Sequence, residues 1–180
     1  MNLGSQSFPE LISFLDGQAE PSIVMDANYR IVAANNAYAR EFAHGIDVRG
    51  KFCYEVSHHF DRPCDQCGES CPRQTALKTG QPSRVLHLHH TPHGEEHVDV
   101  ELVPIKDDQG KIRYFLETMN PLREFGKASG AHGMVGRSPA YNRMLEMINR
   151  AAPAMTAVLL LGESGTGKEL AAQALHSLGP

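Results

Sequence analysis

All four cysteines of this 180-residue chain lie in the stretch CYEVSHHFDRPCDQCGESCP, from Cys53 to Pro72, together with the adjacent pair His58 and His59. Their spacing, C-x10-C-x2-C-x3-C, is formed by Cys53, Cys64, Cys67 and Cys71. Thiols gathered this closely can do three kinds of chemistry. As thiolates they can ligate zinc or an iron–sulfur cluster, and CxxCxxxCP matches part of a ferredoxin run. A structural zinc site usually pairs two short knuckles, however, and here Cys53 stands alone. They can also close a disulfide staple. Finally, they can act as nucleophiles toward a disulfide or polysulfide sulfur, with a second cysteine resolving the persulfide into a cross-link. That third use needs a raised thiolate fraction. Cys71 directly precedes Pro72 and so sits at the N-cap of an expected helix, whose dipole favours an anion. Arg73 follows, Arg62 lies near Cys64, and His58 and His59 fall between Cys53 and Cys64. These neighbours are expected to lower thiol pKa values. For the two histidines a solvated helix surface is the plainer alternative.

A second chemical stretch is GESGTGKE, which comprises Gly162, Glu163, Ser164, Gly165, Thr166, Gly167, Lys168 and Glu169. It fits G-x-x-x-x-G-K, the phosphate loop. Glycines let backbone N–H groups converge on phosphate oxygens, the helix N-terminus adds partial positive charge, and Lys168 adds a full one. Glu169 stands where the motif usually has the Ser or Thr that holds magnesium. A third stretch, HLHHTPHGEEH from His87 to His97, could serve nickel, zinc or heme. Its histidines mostly alternate on strands flanking a turn, so a solvated sheet face is expected. Heme ligation would revive as a reading if they faced an interior instead.

The elements that must position these groups follow from apolar periodicity. FPELISFL, from Phe8 to Leu15, has helical spacing with Pro9 at the entry. Ser22–Met25 and Ile31–Ala34 flank a turn at Asp26–Tyr29 and predict a β-hairpin. Asn35 or Asn36 can cap a helix running to about Phe42. Cys53 falls in an expected helix after Gly50. Pro72 opens a helix that Gly80 ends. RVLHLHH, EEHVDVELVPIK and KIRYFLETM then predict an antiparallel meander, the middle strand alternating His97, Asp99 and Glu101 against Val98, Val100 and Leu102. Residues 121–134, PLREFGKASGAHGM, contain three glycines and no apolar period, which predicts a flexible linker. Ser138 caps a further helix bearing Tyr141, Leu145 and Ile148. Ala157–Leu161 is expected to be a buried strand leading into the glycine loop.

Two strands, short helices and three strands make an α+β domain with one antiparallel sheet. That order resembles the PAS sensor fold over residues 8–120, and MDANYRIVAANNAYAREF looks like the usual PAS opening. VGRSPAYNRML, then VLLLGESGTGKELAAQALH, resembles the start of the α/β AAA+ ATPase domain of sigma-54-dependent bacterial transcription activators, over residues 135–180. The resemblance implies a sensor joined by the 121–134 linker to an ATPase that uses ATP and magnesium. It implies contacts with sigma-54 RNA polymerase and with promoter-upstream DNA through regions beyond this segment, as well as homo-oligomers: a PAS dimer and a full-length hexamer. The Walker B carboxylates, the sigma-gripping loop and the arginine finger of that family have no counterpart here. The chain is therefore expected to be an N-terminal segment cut within the ATPase domain, with no cofactor and no ATP hydrolysis of its own.

A PAS-like domain carrying CYE, PC and CP in such an activator resembles FisR-type regulators of sulfide-oxidation genes, which respond to sulfane sulfur. The resemblance assigns sensing to Cys53, Cys64 and Cys71 and leaves Cys67 open. A cross-link across the 53–64 segment is the expected response. The alternatives are a metal or iron–sulfur redox sensor ligated by Cys53, Cys64, Cys67 and Cys71, and a plain PAS dimerisation module.

Composition sets bounds on these readings. Apolar residues make up 41% of the chain, enough for a core, and the net charge of −4 argues against a basic nucleic-acid face. No apolar run approaches the roughly 18 residues of a membrane span, and no signal pattern opens the chain. A cytoplasmic location is expected, where a permanent disulfide is disfavoured.

Overall fold

A computed structural model describes residues 9–43, 45–92, 94–121, 134, 136, 138–154 and 156–179. Helix α1 (Pro9–Asp16) leads into the hairpin of β1 (Ser22–Asp26) and β2 (Ile31–Ala34). The Asp26 carboxylate fixes the turn by accepting from the N–H groups of Asn28 at 2.7 Å and Arg30 at 3.0 Å. Asn35 then caps α2 (Asn36–Glu41), accepting from Tyr38 N at 2.8 Å. Its amide also donates to the Leu15 and Glu20 carbonyls, so one buried side chain ties α1, β1 and α2 together.

Three short elements follow: α3 (Cys53–His58), a 3-10 turn (Cys64–Gln66) and α4 (Pro72–Thr79). Pro72 sits in the first turn of α4, and Gly80 ends it in the left-handed region at φ 66°. Strands β3 (Ser83–Thr91), β4 (Gly94–Lys106) and β5 (Ile112–Pro121) form the expected meander. The five strands pair antiparallel in the order β2-β1-β5-β4-β3.

The sheet has two covered faces. On the inner face Ile23, Met25, Val98, Val100, Leu102, Phe115 and Met119 pack beneath α2, α3 and α4. On the outer face α1 covers Val24 and Ala33 through Leu15. Farther along that face lies α5 (Pro139–Ala151), capped by Ser138 and buried through Leu145 and Ile148. Asn149 of α5 donates to Asp99 at 3.2 Å, and Arg84 also bonds the Asp99 carboxylate. Asp99 is thus buried. The simple alternation expected for β4, with its charged side toward water, fails there because a helix covers that side.

Two further expectations are corrected. Val158, Leu159 and Leu161 form no strand and are exposed at 45%, 79% and 84%. A strand needs a hydrogen-bonded neighbour, and none lies beside them among the described residues. The loop after them still opens α6 (Lys168–Leu178) where expected. In addition, His87 and His89 face the interior of the domain, not a solvated sheet face. The expected 121–134 linker falls, apart from Pro121 and Met134, outside the described residues. No described helix is long and apolar enough to cross a membrane.

Candidate functional site

Between the inner sheet face and the helices lies a cavity of about 20 Å³. Cys53, Cys64 and Cys71 all line it, with His58, Arg73, His87 and Glu117. Each thiol comes from a separate short element. Cys53 is the first residue of α3, and its N–H donates to the Tyr29 carbonyl at 3.0 Å. Cys64 opens the 3-10 turn, and its carbonyl accepts from Cys67 at 2.9 Å and Glu69 at 3.0 Å, which curls the loop back on itself. Cys71 is the N-cap of α4. Cys67 lies elsewhere: it is exposed, its Sγ 3.8 Å from the Arg62 carbonyl. All four cysteines are free thiols.

The three cavity thiols are not equivalent. The neighbouring Cys64 thiol lowers the Cys71 pKa to about 7 despite partial burial. No bond of capping geometry joins the Cys71 sulfur to α4, but the N–H groups of Arg73 and Gln74 lie close enough to favour the thiolate. The neighbouring Cys71, with burial, pushes the Cys64 thiol far up. Burial, and then the nearby Glu117 carboxyl, pushes Cys53 up. The expected lowering of thiol pKa values therefore holds for Cys71 and is reversed at Cys53 and Cys64. A dry wall raises a thiol wherever no donor faces it.

The charged groups of the wall are buried too. Arg73 lies over the Tyr29 ring at 4.2 Å and the Phe115 ring at 5.5 Å, and it donates to the Ala27 carbonyl. Glu117, on β5, has its pKa raised to about 8 by burial and by Cys71, so it is protonated at neutral pH. His58 ends α3 and is held neutral by burial, its pKa lowered to about 3. The partner of His58 in sequence behaves differently: His59 stacks on His90 near the surface, ring centroids 4.4 Å apart. Sequence reasoning missed Glu117 and the inward turn of His87 and His89. The usable signal for the latter was a His at every second position of β3.

The glycine loop is a separate, exposed site. Gly165 and Gly167 take φ of 79° and 86°, conformations that favour glycine. A Cβ on Gly162 would sit 2.9 Å from the Thr166 hydroxyl oxygen. Thr166 donates to the Glu163 carbonyl at 2.8 Å, and the Lys168 ammonium donates to the carbonyls of Gly162 (2.9 Å) and Glu163. The cation thus folds over the loop's own backbone, above the N-terminus of α6, where a phosphate group would compete for it.

Comparison with known proteins adds the following. The family described as "PAS fold" matches residues 15–125, and the one described as "Sigma-54 interaction domain" matches residues 134–180. A Nif-specific regulatory protein of Bradyrhizobium diazoefficiens is 54% identical over 56 residues, covering 31% of this chain and 10% of that protein. The transcriptional regulatory protein XylR of Pseudomonas putida is 41% identical over 78 residues, covering 41% of this chain and 12% of its own. The chain thus spans about a tenth of the length of these curated relatives. Among solved structures, the PAS domain of a Colwellia psychrerythraea protein superposes with a TM-score of 0.51 at 12% identity, covering 64% of this chain and 96% of that one, a likeness of fold alone.

Proposed function

The chain belongs to the PAS fold family, and from that premise we propose that it is the signal-receiving segment of a sigma-54-dependent transcription activator, responding to sulfane sulfur. One observation carries the sulfur reading: Cys53, Cys64 and Cys71 line a single cavity, where the neighbouring Cys64 holds Cys71 below the usual thiol range. That lowering raises the thiolate fraction of Cys71.

The Cys71 thiolate attacks a sulfur of a polysulfide. A bond forms to Cys71 Sγ, one sulfur–sulfur bond of the polysulfide breaks, and the remainder departs as hydrosulfide or a shorter polysulfide. Cys64 then attacks Cys71 Sγ and expels the outer sulfur, which leaves with the Cys64 proton as hydrogen sulfide. The two thiols lose two electrons and the sulfane sulfur gains them. The mutual influence of Cys64 and Cys71 favours a cross-link between them over one across the 53–64 segment. Cys53 lines the same cavity and serves as a second acceptor of sulfur. Cys67 is left outside.

In the whole regulator, the loop from Gly162 to Glu169 would hold the nucleotide phosphates, with Lys168 exchanging its carbonyl partners for phosphate oxygens. Hydrolysis of that nucleotide would supply the energy to remodel a sigma-54 polymerase complex, and the cavity would govern that output. Intact mass spectrometry of anaerobic protein before and after polysulfide treatment tests the sensing step. Addition of 32 Da, or loss of two hydrogens mapping to Cys64 and Cys71, is expected. A full-length regulator whose sulfur response survives Cys→Ser changes at 53, 64 and 71 would sink the reading.

A further inference from the structure

The thiols share their cavity with His58 and His87, imidazoles that the sulfur chemistry does not use, and His89 lies beside these two. His58, His87 and His89 are 5%, 3% and 1% exposed. Each offers a ring nitrogen, and these nitrogens all lie within 4.8 Å of one another. The ring centroid of His58 is 4.6 Å from that of His89 and 4.8 Å from that of His87.

Two of the three tautomers are fixed by backbone carbonyls, which only accept. His58 Nδ1 donates to the Leu88 carbonyl at 3.0 Å, and His87 Nε2 donates to the Ser70 carbonyl. The lone pairs of these rings are therefore at His58 Nε2 and His87 Nδ1. A ligating histidine is commonly oriented in this way, one nitrogen on a carbonyl and the other free for a cation. His89 supplies the independent observation. Both of its ring nitrogens are buried and neither has a hydrogen-bond partner. Orphaning a buried polar group costs stability, and an apolar side chain at this position would avoid that cost.

We propose that His58, His87 and His89 form a binding site for a divalent first-row transition cation, with zinc the best match. Neutral imidazoles suit such cations. In a tetrahedral site with nitrogens about 2.0–2.1 Å from the metal, they stand about 3.3 Å apart, so ring shifts of about 1 Å close the site. Three ligands leave one position open, on the side of the cavity that His58 and His87 share with the cysteines. About 20 Å³ there holds one water-sized ligand and has no room for a porphyrin. The four-cysteine ligand set is not gathered around this point, because Cys67 faces solvent. The site does not depend on the sulfur reading.

The test uses the 180-residue chain, freed of any affinity tag, stripped with chelator and titrated anaerobically with Co²⁺ as the probe. One equivalent should bind with the visible bands of a four-coordinate ion, and Zn²⁺ should displace it. His89→Leu should weaken binding by more than the roughly 10–100-fold that losing an outer-shell partner costs. The metal-free His89→Leu protein should melt no lower than the parent. The Cys53→Ser/Cys64→Ser/Cys71→Ser variant should still bind. Three results would overturn the site: no saturable binding, unchanged binding by His89→Leu (an ion on surface rings such as His59 and His90), or loss of binding with the cysteines alone. Should His89→Leu not fold, imidazole ¹⁵N shifts of the parent chain decide. Zinc must move those of His58, His87 and His89 together, and unmoved resonances would refute the site.

Discussion

Around Cys71 the reactive groups come from far apart in sequence. Cys53 and His58 arrive on α3, His87 on β3 and Glu117 on β5, and each is buried against the inner sheet face. Around Lys168 the geometry is local. Its ammonium bonds the carbonyls of Gly162 and Glu163, six and five residues back, and Val158, Leu159 and Leu161 before them are exposed. The cavity owes its chemistry to the core: remove the packing and the pKa shifts go with it. The glycine loop owes its shape to left-handed glycines and a helix start, and it keeps that shape without a sheet beside it. One region is a consequence of the fold, the other a local motif that a larger fold can use.

The largest blow to this contrast is struck at Phe115, fully buried beneath Arg73. Phe115→Ala should cost about 3–5 kcal/mol in urea unfolding and return the Cys71 pKa toward that of a free thiol. A loss below about 1 kcal/mol would mean that the cavity does not depend on the core. Next comes Glu117. The unfolded carboxyl ionises near 4.5, whereas the folded one keeps its proton to about 8. Between those values the native state binds more protons, so stability should fall as pH rises, by up to about 1.4 kcal/mol per pH unit. Glu117→Gln should flatten this slope in a series of melts from pH 5 to 9, and a slope unaltered by the change would remove Glu117 from the account.

A smaller effect is expected at the thiol pair. Cys64→Ala removes the thiol that holds Cys71 down. Alkylation of Cys71 by iodoacetamide, followed by peptide mass, should have its pH midpoint near 7 in the parent. In the variant the midpoint should move to higher pH. The reaction at neutral pH then slows, by about tenfold for every pH unit that the midpoint rises. Equal rates would mean the pair does not interact in solution. Smallest of all, Leu159→Lys and Leu161→Lys should leave the stability of the PAS domain within about 0.5 kcal/mol. A larger loss would show that the run packs onto the domain after all.

Much of the fold could be read locally. The Asp26 turn, the Asn35 cap, the Pro72 and Gly80 limits of α4 and the meander all rest on residues whose backbone preferences act within a few positions. The grouping of Cys53, Cys64 and Cys71 was suggested by resemblance, and the distance between Cys67 and the cavity could not be read from spacing. The direction of β3 was misread for a physical reason. Alternating Leu and His say that a strand has two faces, and hydrophobicity then assigns the leucines inward. Here Leu86 is buried on the outer face, where α5 packs against β3, while Leu88 is half-buried, so that face also takes leucines and hydrophobicity does not single out the inner one. The strand at Ala157–Leu161 failed for the converse reason: its sequence is suited to a sheet, but no described strand lies beside it.

Cys67 remains outside the cavity, and its position has a consequence at the bench. A thiol on the surface meets other molecules before it meets the three thiols inside. In aerated solution two chains can join through Cys67–Cys67, giving a covalent dimer that says nothing about signal reception. On non-reducing gels that band should vanish with Cys67→Ser, while sulfur uptake at Cys71 continues within single chains.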